Sequence, residues 1–292
     1  MFKKITFIIV LLIIAKPTYD FIVEQIDENQ VEVIEPVNMT STKIDESEQI
    51  GDGELPTKIT SEQQLADAFY YYFSRFTTNF TIQYVGSTKN MDELLERATS
   101  EASKRNPFID GHFSERNITY TYNKLSAKID VSQTYLITYE QALQVEATVE
   151  QLIATQAAHL TSDYDKVKFV NDYIVQNTVY SEQTLASPHS AYTALAERKA
   201  VCQGYALLAQ MMLTKLGVDA YYVVGEAGGI GHAWNLVNVN GAWYHLDTTW
   251  NDPLPDRGRE VQYTYFLVSD QQLGKDHTWE RANYPQAINE NL

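Results

Sequence analysis

A chain of 292 residues, 44% hydrophobic and 12% aromatic, can bury one large core or two modest ones and reads as an ordinary globular protein. Its 22 Lys and Arg against 38 Asp and Glu leave a formal charge of -16, which repels phosphate backbones and excludes a nucleic-acid partner. With one cysteine there is no internal disulfide to form, so that thiol needs another reason to exist.

The N-terminus, "MFKKITFIIVLLIIAKPTYDF", sets two lysines before an apolar run from Ile5 to Ala15. That run is shorter than the ~20 residues of a membrane-spanning helix and fits the core of an export signal. Ile13 and Ala15 make half of an A-x-A cleavage pattern, while Phe21, Ile22 and Val23 extend the apolar segment. Residues 1–23 are therefore read as a signal peptide or an uncleaved membrane anchor, and the protein as extracytoplasmic, secreted or held at the cell surface. A buried core strand is the alternative, and the polar stretch that follows argues against it. Residues 24–60 are acidic, poor in aromatics and end in Gly and Pro, the composition of a flexible linker.

Periodic structure begins at "SEQQLADAFYYYFSRF", where Ser61 and Gln64 resemble a capping box and Leu65, Ala68, Phe69 and Tyr72 recur at helical spacing. A strand "NFTIQYVG", a helix "MDELLERATSEASKR" and two alternating runs, "RNITYTYN" and "AKIDVSQTYLIT", complete a small α/β module over residues 61–138. Two helical stretches, "TYEQALQVEATVEQLIATQAAHL" and "SDYDKVKFVNDYIVQNTVY", the latter capped by Ser162 or Asp163, open a second domain over 139–292. The chain has no internal repeat, no Gly-rich phosphate loop and no C-x-x-C pair, and no cofactor or metal is expected.

The cysteine lies in "RKAVCQGYALLAQMMLTKLGV". Ala206, Ala209, Leu213 and Leu216 mark a helix from about Cys202 to Leu216, stopped by Gly217. Cys202 then occupies the first turn, where unpaired backbone N–H groups and the helix dipole favour a thiolate. A buried cysteine acting as a small hydrophobe fits the same position, so position alone leaves two readings.

The residues after this helix shift the balance. "VDAYYVVG" reads as a strand, "EAGGIG" as a Gly-rich loop, and Asn240-Gly241 as the turn of a hairpin between "HAWNLVNV" and "AWYHLDTTW". Pairing Val239 with Ala242 sets Trp234 opposite Asp247 and His232 opposite Thr249, so these four share one face and His232 is the diagonal neighbour of Asp247. His245 falls on the same face opposite Leu236 and is the rival histidine; His232 is preferred because it follows the flexible loop at the strand's start. A cysteine nucleophile, a histidine base and a carboxylate orienter form the chain of roles of a hydrolase triad, here Cys202, His232 and Asp247. The Cys202 N–H would be one oxyanion donor, with Tyr180, Tyr192 and Trp234 as candidates for a second.

The motifs "VCQGYA", "GHAWN" and "HLDTTWNDP", in that order across Asp163 to Asp252, resemble the Cys, His and Asp motifs of the transglutaminase-like superfamily in its bacterial form. The resemblance implies the triad Cys202, His232 and Asp247 and an α+β, papain-like core in which the catalytic helix packs on an antiparallel sheet. It implies attack on protein or peptide carboxamides through a thioester resolved by an amine or by water, hence cross-linking, deamidation or proteolysis. Loss of activity, leaving a surface binding module, is the reading of a different class, and no triad residue is missing. The module at 61–138 inherits no function, and the oligomeric state is not legible. No calcium requirement is expected, with Asp252 and Asp256 as the one weak candidate pair. Trp234 and Trp250 either line an acyl groove or wall off the hairpin core. His277 and Trp279 are assigned to packing.

Overall fold

The computed structural model describes residues 3–9, 58–255 and 257–289, the first stretch as backbone only. Within the segment read as an export signal, Lys3–Ile9 forms strand β1, antiparallel to residues 116–122. The rest of that segment and nearly all of the predicted linker lie outside the described residues. Among the described residues no helix is long and apolar enough to cross a membrane.

Helix α1, Glu62–Ser74, starts where Ser61 accepts the N–H of Gln64 and buries Leu65, Phe69 and Phe73. The Gln64 side chain caps Thr60 N–H, so only half of the foreseen capping box forms. Strand β2, Asn79–Val85, alternates buried and exposed residues as its sequence requires, and α2, Met91–Lys104, follows. A short helix α3, Pro107–Gly111, went unforeseen: Pro107 stands in its first turn and Asn106 Oδ1 accepts from the N–H groups of Phe108 and Ile109. Strands β3, Phe113–Asn123, and β4, Ser126–Tyr135, complete an antiparallel sheet of order β1-β3-β4-β2.

A full capping box between Thr138 and Gln141 starts α4, Tyr139–Leu152, and Ser162 caps α5, Asp163–Asn177. Strands β5, Val179–Tyr180, and β6, Lys199–Ala200, form a short parallel pair directly before α6, Cys202–Lys215. Helix α6 ends on Leu216, and Gly217 adopts φ +73, which only a residue without Cβ takes at little cost. Strands β7, Ala220–Ala227, β8, Ile230–Val239, β9, Ala242–Leu246, β10, Phe266–Val268, and β11, His277–Trp279, make the second antiparallel sheet in the order β10-β9-β8-β7-β11. Helix α7, Asp270–Leu273, lies between its last two strands.

A single hydrophobic cluster joins the two sequence regions, from Leu65, Phe69 and Leu95 through Leu207, Leu208 and Met212 of α6 to Val237 and Leu246. The contact across them is close: a Cβ on Gly111 would stand 2.1 Å from Leu207 Cδ2. Helix α6 is therefore buried on both flanks, and truncating Leu207 to Ala removes packing worth about 2–5 kcal/mol. The result is an α+β fold whose central helix carries Cys202 at its start.

Candidate active site

Cys202 is the first residue of α6, preceded by Val201 in extended conformation, and its side chain is half-buried. The strand pair β5/β6 sets Tyr180 beside Ala200, two residues before it. Gly204 lets the first turn approach the preceding loop, since a Cβ there would lie 2.7 Å from Ser190 O and from Ala200 Cβ. Behind the same turn, Gln203 Nε2 donates to Gly111 O at 2.9 Å, and the N–H of Ala191 donates to His112 Nε2 at 3.0 Å. The first α/β module thus grips the start of the cysteine helix.

The hairpin adopts the register read from sequence, Val239 opposite Ala242 and Asn235 opposite Leu246, around Asn240 and Gly241 with φ of 54 and 85. The ladder ends there, one pair before the predicted Trp234–Asp247 contact. Asp247 instead donates its N–H to Tyr265 O, and its Oδ1 accepts from the N–H groups of Thr249 (3.0 Å) and Trp250 (3.1 Å). That side-chain turn curls the chain out of the strand, so Thr249 never pairs with His232, which lies opposite Gly225 on β7.

The predicted neighbours nonetheless meet. His232 Nε2 is 2.7 Å from Asp247 Oδ2, and Cys202 is close enough to act on the charge of the same imidazole. Asp247 is fully buried; burial opposes its ionisation, but the charge and hydrogen bond of His232, with His277 and Trp250 N–H, hold its carboxyl down to about 2. An ionised carboxylate only accepts, so His232 donates from Nε2. Burial likewise pulls His232 down, yet Asp247 and then Cys202 outweigh it and raise it to about 10.

His245, the rival, is already occupied. Its Nδ1 accepts from Trp234 Nε1 at 3.0 Å and its Nε2 donates to Asp270 Oδ1 at 2.9 Å, and burial pushes it to about 4. This contact also removes Trp234 from the candidate oxyanion donors and makes it a wall of the hairpin core, at 1% exposure. Trp250 is half-buried with its ring 5.9 Å from that of His232. Tyr192 packs half-buried against the main core. Tyr180 is in the electrostatic field of Cys202: burial first, then Cys202 and Glu182, push its phenol up to about 12.

His277 corrects the sequence reading, which gave it packing alone. Its Nε2 lies 3.1 Å from the same Asp247 Oδ2, and its Nδ1 2.6 Å from Asp276 Oδ1. Neither hairpin register nor helical spacing could reveal it, because β11 joins the sheet from the far end of the chain, His277 opposite Ala227. Ligand atoms of His232, Asp247 and His277 lie within 4.8 Å of one another, a donor set of the kind divalent metals accept, although hydrogen bonds within the set engage all three. Asp252 accepts from Tyr205 OH at 2.7 Å, and Asp256 lies outside the described residues.

Residues 150–248 match the family model of the transglutaminase-like superfamily. Kyphoscoliosis peptidase of Mus musculus is 25% identical over 192 residues, 56% of this chain and 28% of that protein. Its Homo sapiens counterpart is 24% identical over 200 residues, 58% and 30% respectively. The chain therefore matches less than a third of the length of these curated relatives. A solved structure described as a TGase is similar with a TM-score of 0.35 and 20% identity, covering 59% of this chain and 51% of that one.

Proposed function

We propose, from the premise that residues 150–248 belong to the transglutaminase-like superfamily, that this chain is a cysteine enzyme acting on protein or peptide carboxamides. The observation that carries the reading is the position of His232, bonded to Asp247 at 2.7 Å and raised in pKa by Cys202 at the start of α6. His232 holds the proton of Cys202, and the thiolate attacks the carbonyl carbon. The oxyanion meets the Cys202 N–H at the start of α6 and the Tyr180 hydroxyl. As the C–N bond breaks, His232 returns a proton to the departing ammonia or amine and a thioester remains. An incoming amine or water then gives its proton to His232, attacks the thioester and releases the thiolate.

In the favoured outcome the acceptor is an amine, giving cross-links, with deamidation where water enters instead. Peptide hydrolysis, including that of cell-wall stem peptides, is the second reading, and the two curated relatives named as peptidases favour it. The export or anchor pattern of residues 1–23 and the acidic stretch 24–60 support action at the cell surface, and the charge of -16 suits basic, lysine-bearing substrates. The test incubates the full chain and Cys202→Ala with a glutamine-rich protein and a labelled primary amine, reading label and fragment masses by mass spectrometry. Cys202-dependent label establishes transfer to amines, and Cys202-dependent cleavage or deamidation makes water the acceptor. A native chain with no Cys202-dependent product, and with an ordinary thiol titration, overturns the enzyme reading in favour of a binding module.

A further inference from the structure

Asp247 has four acceptor positions and four donors. Oδ1 takes two backbone N–H groups, which anchor the carboxylate but leave Oδ2 free to swing about that anchor. Oδ2 is fixed by what touches it, His232 Nε2 at 2.7 Å and His277 Nε2 at 3.1 Å. We propose that His277 is a positioning residue, a second imidazole whose Nε2–H donates to Oδ2 of Asp247 and fixes the direction in which that carboxylate faces His232. The proposal rests on the reading of Cys202, His232 and Asp247 given above.

Three features of the fold hold His277 for this task. Its ring is fully buried, stacked edge-on to Trp250 at 4.6 Å and Trp234 at 5.2 Å. Its other nitrogen, Nδ1, meets Asp276 Oδ1 at 2.6 Å, and Asp276 is itself bound by Tyr265 OH at 2.7 Å. Both ring nitrogens therefore face carboxylates, which ionised can only accept, and the ring is placed to donate from both. Finally, β11 reaches β7 because Gly225 has no side chain: a Cβ there would stand 2.1 Å from Thr278 O and 2.8 Å from Trp234 Cη2. A packing histidine needs none of this polar alignment.

The experiment follows alkylation of Cys202 by iodoacetamide in the full chain from pH 5 to pH 9, a reaction with a single possible target thiol. In the native chain reactivity should persist well below the ordinary thiol value of about 8.5. His277→Phe, which keeps a ring and loses the donor, should slow alkylation at pH 6 about tenfold to a hundredfold, the worth of a hydrogen bond to a buried charge. His277→Gln, which returns an N–H near the same place, should restore most of it at matched thermal stability. His277→Phe that folds and alkylates like the native chain overturns the proposal, as does His277→Gln that fails to rescue. Should His277→Phe not fold, ring 15N shifts of the native chain decide: a protonated Nε2 on His277 is expected, and a bare Nε2 overturns the role. A native chain whose Cys202 titrates as an ordinary thiol instead overturns the cysteine reading itself, a result distinct from native low-pH reactivity that the variants leave unchanged.

Discussion

His232 Nε2 stands 2.7 Å from Oδ2 of Asp247, while the opposite oxygen of that carboxylate is bound by the N–H groups of Thr249 and Trp250. The backbone anchors one edge of the carboxylate, and the other edge orients the imidazole. Asp247→Asn keeps the shape and reverses this edge. Its amide oxygen can still accept from the two backbone donors, but its NH2 group then points at the N–H of His232. The ring loses the carboxylate that holds it charged and, when neutral, must leave Nε2 bare toward the amide, the wrong tautomer for taking up the thiol proton. Turnover is expected to fall about a thousandfold or more, the scale of the corresponding change in a serine protease triad. Cys202-dependent product formation checks this, with circular dichroism to show that the fold persists.

Tyr180 is brought to the site by two backbone pairings, Tyr180 opposite Ala200 and Ser181 N–H to Ala200 O at 2.9 Å. Its hydroxyl is the candidate partner of the Cys202 N–H in receiving the oxyanion. Tyr180→Phe deletes one oxygen from a residue that remains 38% exposed, so the fold should be untouched. Removing one such donor costs about a hundredfold in kcat. Rates of thioester formation should show it, while the alkylation of Cys202 stays near native because no oxyanion forms in that reaction. Unchanged acylation would return the second donor to the other candidates.

Much of this site could be read from sequence because its parts are local. Asn240-Gly241 fixes the register of one hairpin, and that register brings the strand carrying His232 beside the end of the strand that leads into Asp247. The spacing of "CQGYALLAQMML" and the stop at Gly217 likewise place Cys202 in a helix's first turn. What sequence could not show depends on pairings between distant segments. His277 arrives through β11, and the contacts of Gln203 with Gly111 and of Ala191 with His112 depend on α3, a helix too short for periodicity to reveal. The turn at 247–252 was missed for a different reason: an aspartate read as a catalytic group also caps its own backbone, and that second role ends the strand early.

Gly204 invites a test in which two effects of opposite sign compete. In open space a mid-helix Gly→Ala stabilises by about 0.5–1 kcal/mol. Here the new methyl would meet Ser190 O and Ala200 Cβ at 2.7 Å and Pro188 O at 3.1 Å, all of them backbone or short side chains that cannot swing away. Overpacking of this kind costs about 1–3 kcal/mol, so it outweighs the gain. Gly204→Ala should lower the melting temperature by a few degrees and slow Cys202 alkylation, because α6 must retreat from the loop it packs on. Calorimetry showing a stabilised variant would refute the packing argument.

Gln203 and His112 tie the first module to the cysteine helix, and they predict different consequences. Gln203→Leu leaves Gly111 O without its donor at a buried position, a loss of about 1–3 kcal/mol that denaturant unfolding would register. Stability unchanged by that substitution would show the contact to be dispensable.

His112 makes a prediction in pH. Its Nδ1 donates to Phe108 O at 2.7 Å and its Nε2 accepts from Ala191 N–H, so the neutral ring fits and a second proton would face the Ala191 N–H. Burial pushes it to about 4, and His245, whose Nδ1 accepts from Trp234 Nε1, is pushed to about 4 as well. Both values lie below that of an unfolded histidine, about 6.5, so between the two the unfolded chain binds more protons and stability rises with pH. This contribution is complete above pH ~6.5 and is lost as pH falls toward 4, amounting to about 3 kcal/mol for each group at about 1.4 kcal/mol per unit. His232 has the opposite sign: raised to about 10, it contributes below pH ~6.5 and is lost as pH climbs through its folded value. It therefore does not mask the acid limb. Urea unfolding of the native chain from pH 6.5 to pH 4.5 should show a steady loss of stability, and His112→Gln, which can offer an oxygen to the Ala191 N–H without titrating, should flatten that slope by about half. An equal slope in the variant would mean that His112 does not carry the acid sensitivity of this core.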